Sequence, residues 1–107
     1  MEEKTLNSKE LTELKDQYFT LSETIKEYRK GMMSRKFRDF TPQLQSQTKM
    51  QYAFFKSALR DTVRLLIDHN AAGHDLLSHA VWNRGLPLKT RWTALKELWK
   101  KSKSEQI

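Results

Sequence analysis

The sequence contains no cysteine. That excludes disulfide scaffolds, thiolate metal sites and cysteine nucleophiles, and it fits a reducing compartment. Glycine and proline are nearly as scarce, three and two in 107 residues. No run alternates Val, Ile or Thr with polar residues, so the raw material for strands and hairpins is missing. Long apolar runs are missing as well, since none approaches the ~20 residues that cross a bilayer. The opening MEEKTLNSKE is polar and charged, unlike a signal peptide. The expectation is a cytoplasmic protein, or one at a nucleoid or nucleus, with no membrane contact.

Catalytic signatures are equally thin. No serine sits in a glycine-framed elbow, and no glycine-rich loop could cradle a nucleotide phosphate. His69, His74 and His79, with Asp68 and Asp75 between them, supply residue types that bind zinc or iron. Their spacing of five and five, broken by Gly73, puts no two histidines on one helical face. The simpler reading pairs Asp75 with His79 at i, i+4 and sets His69 at a helix C-terminus. No metal, no cofactor and no enzymatic activity are expected.

What the sequence has is helical periodicity. Residues 49–68 read KMQYAFFKSALRDTVRLLID. Tyr52, Phe55, Leu59, Val63 and Leu66 share one face at 100° per residue, and Phe54, Ala58 and Leu65 widen it to about half the circumference. So broad a face calls for two packing partners, which makes this the central helix of a bundle. Thr41 as N-cap and Pro42 at the first position start it early, giving a helix over 42–69.

Before it, a helix is expected over 7–30. Asn7 and Glu10 suit a capping box, Leu6 and Leu11 suit the flanking staple, and Gly31 suits a left-handed C-cap. Leu11, Leu14, Tyr18, Leu21, Ile25 and Tyr28 recur at spacings of 3, 4, 3, 4, 3, a heptad seam of almost three repeats. The seam either docks on the central helix or pairs with a second copy of itself. A homodimer through these six residues is expected, and the two uses combine in a four-helix bundle. After Ala71-Ala72-Gly73, with Gly73 free for positive φ, a short helix is expected over 75–84 and another over 88–101. Residues 1–6 and 102–107 are expected to be disordered. The expected fold is an all-α single domain: a small bundle with a long N-terminal helix, a long central helix and a shorter C-terminal pair. Its core is expected to hold Leu59, Val63, Leu66, Leu77, Val81, Trp92, Leu95 and Trp99, with Trp82 also closing the bundle.

The charge is +7 and unevenly spread. Residues 1–31 carry six basic and seven acidic groups, whereas 32–74 and 75–107 each carry seven basic and three acidic. Such segregation suits a surface for a polyanion. In the linker 31–41, Arg35, Lys36 and Arg38 stand between Phe37 and Phe40. Arginine beside aromatics suits base stacking and phosphate pairing, although two phenylalanines that pin the loop to the core explain the same pattern.

Residues 75–101 resemble the outline of a helix-turn-helix, with Arg84-Gly85-Leu86-Pro87 as the turn. In that outline Lys89, Thr90, Arg91 and Thr93 would enter a DNA groove, while Arg84, Lys96, Lys100 and Lys103 would meet phosphates. The match is imperfect: Val81 stands where a small residue belongs, Arg91 where an apolar one does, and Pro87 lengthens the turn. The leading expectation is a non-enzymatic nucleic-acid-binding protein, a small regulator or an accessory subunit of a nucleoprotein complex. It would bind through segments 32–74 and 84–103, to DNA rather than RNA. The alternative is an adaptor or inhibitor whose heptad helix and basic face dock an acidic protein partner.

Overall fold

The computed structural model describes residues 7–105, so Leu6 and its staple lie outside the described residues. Five helices run through them: α1 (Ser8–Met33), α2 (Arg35–Arg38), α3 (Pro42–Asp68), α4 (His74–Val81) and α5 (Leu88–Glu105). The fold is a small all-α bundle with a long N-terminal helix, a long central helix and a shorter C-terminal pair.

α1 and α3 lie antiparallel. Gln17 Nε2 reaches Thr62 Oγ1 at 3.3 Å at one end, and Tyr28 Oη donates to Gln51 Oε1 at 2.9 Å toward the other. The heptad seam makes this joint. Tyr18 and Ile25 are fully buried, Leu14 and Leu21 pack against the core, and Tyr28 sets its ring 5.4 Å from Phe55. Facing them are Leu59, Thr62, Val63 and Leu66 of α3. Tyr18 and Ile25 are thus covered within one chain, while Leu11, Leu14, Leu21 and Tyr28 keep part of their surface. α4 and α5 pack on each other, and α5 also touches α3.

The helix starts follow the sequence. Asn7 Oδ1 accepts from Glu10 N at 2.8 Å, and Thr41 Oγ1 accepts from Leu44 N at 3.2 Å with Pro42 at the first position. The ends differ. α1 runs through Gly31 to Met33 and is capped by Ser34, whose Oγ donates to the Gly31 carbonyl at 2.6 Å. α3 ends in Asn70, at φ 52°, rather than at a glycine. The Asn70 and Ala71 amides return to the Ile67 and Leu66 carbonyls, the paired bonds of a Schellman ending. Gly73 is extended at φ −82° and serves as N-cap of α4. α4 starts at His74 and stops at Val81 instead of continuing to residue 84. The basic linker holds the single turn α2. α5 continues four residues past the expected end, so 102–105 are helical.

The core contains Leu59, Val63, Leu66 and Leu77 as expected, with Leu76, Ala80, Leu86 and Ala94, and Val81 packs partly buried against it. The tryptophans do not join it. Trp82, Trp92 and Trp99 are 78%, 59% and 66% exposed, and Leu95 is also exposed. α5 buries a different face, made by Thr90, Ala94 and Leu98, roughly 130° around the helix from the Leu88–Trp92–Leu95–Trp99 stripe at 100° per residue. Small Thr and Ala let α5 approach its neighbours closely. The body measures 56 × 34 × 20 Å, about two helix diameters thick. A slab that thin leaves one side of every helix in water. α3 shows the same effect, since Met50, Phe54 and Leu65 remain exposed.

Candidate nucleic-acid interface

The α4–α5 unit is held on α1 by a polar clasp. Asn83 Nδ2 donates to Tyr18 Oη at 3.1 Å and to Ser22 Oγ at 3.0 Å, while its Oδ1 accepts from Gly85 N at 2.9 Å. Ser22 Oγ is itself committed as donor to the Tyr18 carbonyl at 2.8 Å. The Tyr18 hydroxyl accepts from Asn83 and pairs with His79 Nδ1, 2.7 Å away, the direction of the second bond following the histidine tautomer. His79 also stands edge-on to the Tyr18 and Phe19 rings. It serves this clasp and not the expected bond to Asp75. Burial pushes the Tyr18 phenol up from its ordinary 10.0, against smaller lowering by the Asn83 and Ser22 hydrogen bonds. Gly85 closes the clasp because a Cβ there would meet Asn83 Oδ1 and Ile25 Cγ2 at 3.1 Å and Leu59 Cδ2 at 3.3 Å.

A second tie joins α4 to α5. Arg91 Nε donates to the Val81 carbonyl at 2.8 Å, a cation on the last turn of α4. Arg91 is half-buried. The residue expected to pair with guanine thus braces the hairpin. Thr90, also expected in the groove, is buried, 7% exposed. In the first turn of α5 Thr90 is turned inward, while Leu88 and Lys89 are exposed.

The remaining basic residues fall in three places. Arg35, Lys36 and Arg38 are exposed on and beside α2. There the Phe37 and Phe40 rings contact each other at 5.7 Å, and Gln45 Nε2 ties both carbonyls to α3 at 3.1 and 3.2 Å. The loop is thus held through Gln45 and not by phenylalanine anchors, since Phe40 is exposed and neither ring packs against the core. Nearly the whole length of α3, about 40 Å at 1.5 Å per residue, separates this corner from the start of α5. Arg84 is exposed and lines a groove with Lys26, Arg29 and Trp82 between α1 and α4.

Lys89, Lys96, Lys100 and Lys103 form the third group, an exposed row along α5. Beside it runs the Leu88–Trp92–Leu95–Trp99 stripe. Trp92, Leu95, Leu98 and Trp99, with Lys96 and Ser102, line a mostly apolar groove of about 470 Å³. Lys103 Nζ lies 4.5 Å above the Trp99 ring, and Lys100 Nζ is 3.4 Å from Glu97 Oε1. Aromatic faces interleaved with ammonium groups on one exposed helix can stack flat rings and neutralise phosphates together.

Arg60 and Arg64 of α3, within the expected basic segment 32–74 but not singled out there, meet the start of α5 across a cleft. Their i, i+4 spacing on the polar side of α3 was the available signal, but nothing in the sequence placed α5 beside them. Among the described residues, no group of three or more His, Asp or Glu is placed to hold a metal ion, and no helix is long and apolar enough to cross a membrane. Comparison with known proteins gives no match to a protein family, a curated protein or a solved structure.

Proposed function

We propose that this protein is a non-enzymatic nucleic-acid-binding protein, a small regulator or accessory subunit of a nucleoprotein complex, with α5 as its contact helix. The observation that carries this reading is the exposure of Trp92 and Trp99 beside Lys96, Lys100 and Lys103. Buried tryptophans would need no function beyond packing. Exposed ones cost solubility, and lysines between them suit a strand whose bases stack while its phosphates are neutralised. With Arg91 and Thr90 turned inward, the arrangement favours backbone contact and stacking over reading a duplex groove.

The test is a tryptophan fluorescence titration of the nuclease-treated protein. The ligands are a random DNA duplex, a single-stranded DNA and a single-stranded RNA, each at low and at physiological salt. Quenching with a steep salt dependence and a preference for single strands is the expected result. No binding at low salt refutes the proposal.

One observation favours a second reading. The stripe from Leu88 to Trp99 is a continuous apolar helix face, the surface an adaptor would offer to an amphipathic partner helix. Such a partner binds stoichiometrically and with weak salt dependence, so the same titration separates the two.

A further inference from the structure

The outer face of α1 carries charge of one sign. At 100° per residue, Glu13, Asp16, Glu23 and Glu27 fall within about 80° of one another, on the side of α1 opposite the buried Tyr18 and Ile25. All four are exposed, and Glu13, Asp16 and Glu23 have no ion pair among the described residues. Lys15 and Lys26 stand roughly 100° or more from the middle of that face. Lys9 and Lys30 bound it at its two ends, and Lys30 reaches Glu27 at 4.0 Å with both side chains largely exposed. A face that serves solubility alone commonly intersperses both signs. Beside the acids Phe19 is 42% exposed, and Phe19, Thr20, Glu23, Thr24, Glu27 and Tyr28 line a shallow, mostly apolar groove of about 590 Å³.

α5 offers the complement. Lys89 to Lys103 spans fourteen residues, as does Glu13 to Glu27, so each charged row is ~21 Å long at 1.5 Å per residue. The lysines flank exposed indoles, while the acids flank an exposed phenyl ring and threonines small enough to admit an indole. Within one chain the two faces are left uncovered.

We infer that the basic, tryptophan-bearing face of α5 docks on the acidic outer face of α1 in a second copy of the chain. Charge complementarity selects this occupant. Pairing α5 with α5 would leave its lysines without counter-charges, whereas α1 supplies one acid for each lysine of the row. The contact joins unlike faces, so used twice it closes a pair, and repeated it builds a chain. It also governs access to α5, because the acidic row takes the place of a phosphate backbone. On the nucleic-acid reading, on which this one consequence rests, self-association and strand binding exclude each other.

The experiment is a charge exchange read by sedimentation velocity. It is run at physiological salt, where repulsion between copies of net charge +7 is screened beyond about 8 Å. The full chains compared are the wild type, Glu23→Lys with Glu27→Lys, and Lys96→Glu with Lys100→Glu. All four positions are exposed, and a misfolded variant could not be rescued by mixing. The wild type should exceed the monomer mass as its concentration rises through the micromolar range. Each reversed variant should need on the order of tenfold more protein. An equal mixture of the two variants should associate again, because each α1 then meets an α5 of opposite charge. A wild type that stays monomeric overturns the docking, and so does a mixture no better than its components. Association that survives both reversals overturns it as well. In a second arm, a short single-stranded oligonucleotide added to the wild type should disperse the assembly into complexes of one chain each. If the charge exchange succeeds and the oligonucleotide has no effect, the docking stands and the nucleic-acid reading falls.

Discussion

Replacing Lys96, Lys100 and Lys103 together by Gln tests whether α5 contacts a polyanion, and the structure sets the size of the effect. Each phosphate neutralised on a single strand contributes about 0.7 to the salt slope, so three lysines contribute about two. At 0.1 M salt each is then worth about fivefold in affinity relative to 1 M. The three are not equal. Lys100 must leave Glu97, an exposed pair at 3.4 Å worth at most about 1 kcal/mol. Lys103 must leave the Trp99 face, 4.5 Å away, at a cost of about 0.5–1 kcal/mol. Lys96 has no such partner among the described residues.

The single replacements should therefore cost about fivefold at Lys96 and about twofold at each of the other two, and about twentyfold together. The slope should fall by about two in the triple variant regardless, because counterion release counts phosphates and not local partners. All three side chains are exposed, so unfolding stability should stay within about 0.5 kcal/mol. The assay is tryptophan quenching across a salt series, with urea unfolding as the control. An unchanged slope in a stably folded triple variant refutes α5 as the contact helix.

Other predictions concern the scaffold that presents α5. Asn83→Ala removes three hydrogen bonds of the clasp and orphans the buried Gly85 amide, which should cost about 3 kcal/mol in urea unfolding; a loss below about 1 kcal/mol would mean the clasp is not holding the α4–α5 unit. Gly31→Ala should stabilise by about 0.5–1 kcal/mol, since Gly31 is helical and a Cβ there meets nothing within 4 Å; destabilisation would indicate a left-handed cap after all. Asn70→Gly should stabilise slightly and Asn70→Ala should destabilise by about 1 kcal/mol, measured in the same way. The Tyr18 phenol is raised by burial in the folded state, so its contribution is intact below pH 10 and is lost as pH rises above 10 toward the folded-state value. Tyr18→Phe should flatten that alkaline loss in a pH series of thermal midpoints.

The helices were legible because their signals are local. Asn7, Thr41 and Pro42 announce helix starts through bonds made within four residues, and the period of the seam needs no partner to be seen. Gly31 and Gly73 misled because glycine permits a left-handed conformation without requiring one. Asn70 takes that role at the end of α3, and glycine there would have been only slightly better. The tryptophans misled for a different reason. A stripe at helical spacing shows that a helix has an apolar face, but not that the fold covers it. On α5 two faces compete, and the one built of Thr90, Ala94 and Leu98 won. Small side chains allow closer backbone approach than indole rings do. That outcome depends on where α1 and α3 leave room, which no local pattern encodes.

The same competition arranges the surfaces that matter for function. At 100° per residue, the Trp stripe, the lysine row and the cleft residues follow one another around α5, roughly 80° apart at each step. The lysine row lies between the other two, and Lys89 belongs both to the row and to the cleft wall. Had Trp92 and Trp99 been buried as the stripe suggests, α5 would have turned its lysines elsewhere, and Thr90 would not line a cleft with Arg60 and Arg64. Exposure of the indoles and assembly of the basic cleft are thus two results of one choice of packing face. On one side of the row rings are available for stacking, and on the other side Arg60 and Arg64 line a cleft with the start of α5. A strand that follows the lysines would meet both, whereas a folded partner protein seated on the Trp stripe would leave the cleft open. Whether the cleft is protected along with the stripe therefore separates the two functional readings by geometry, without reference to the identity of the ligand.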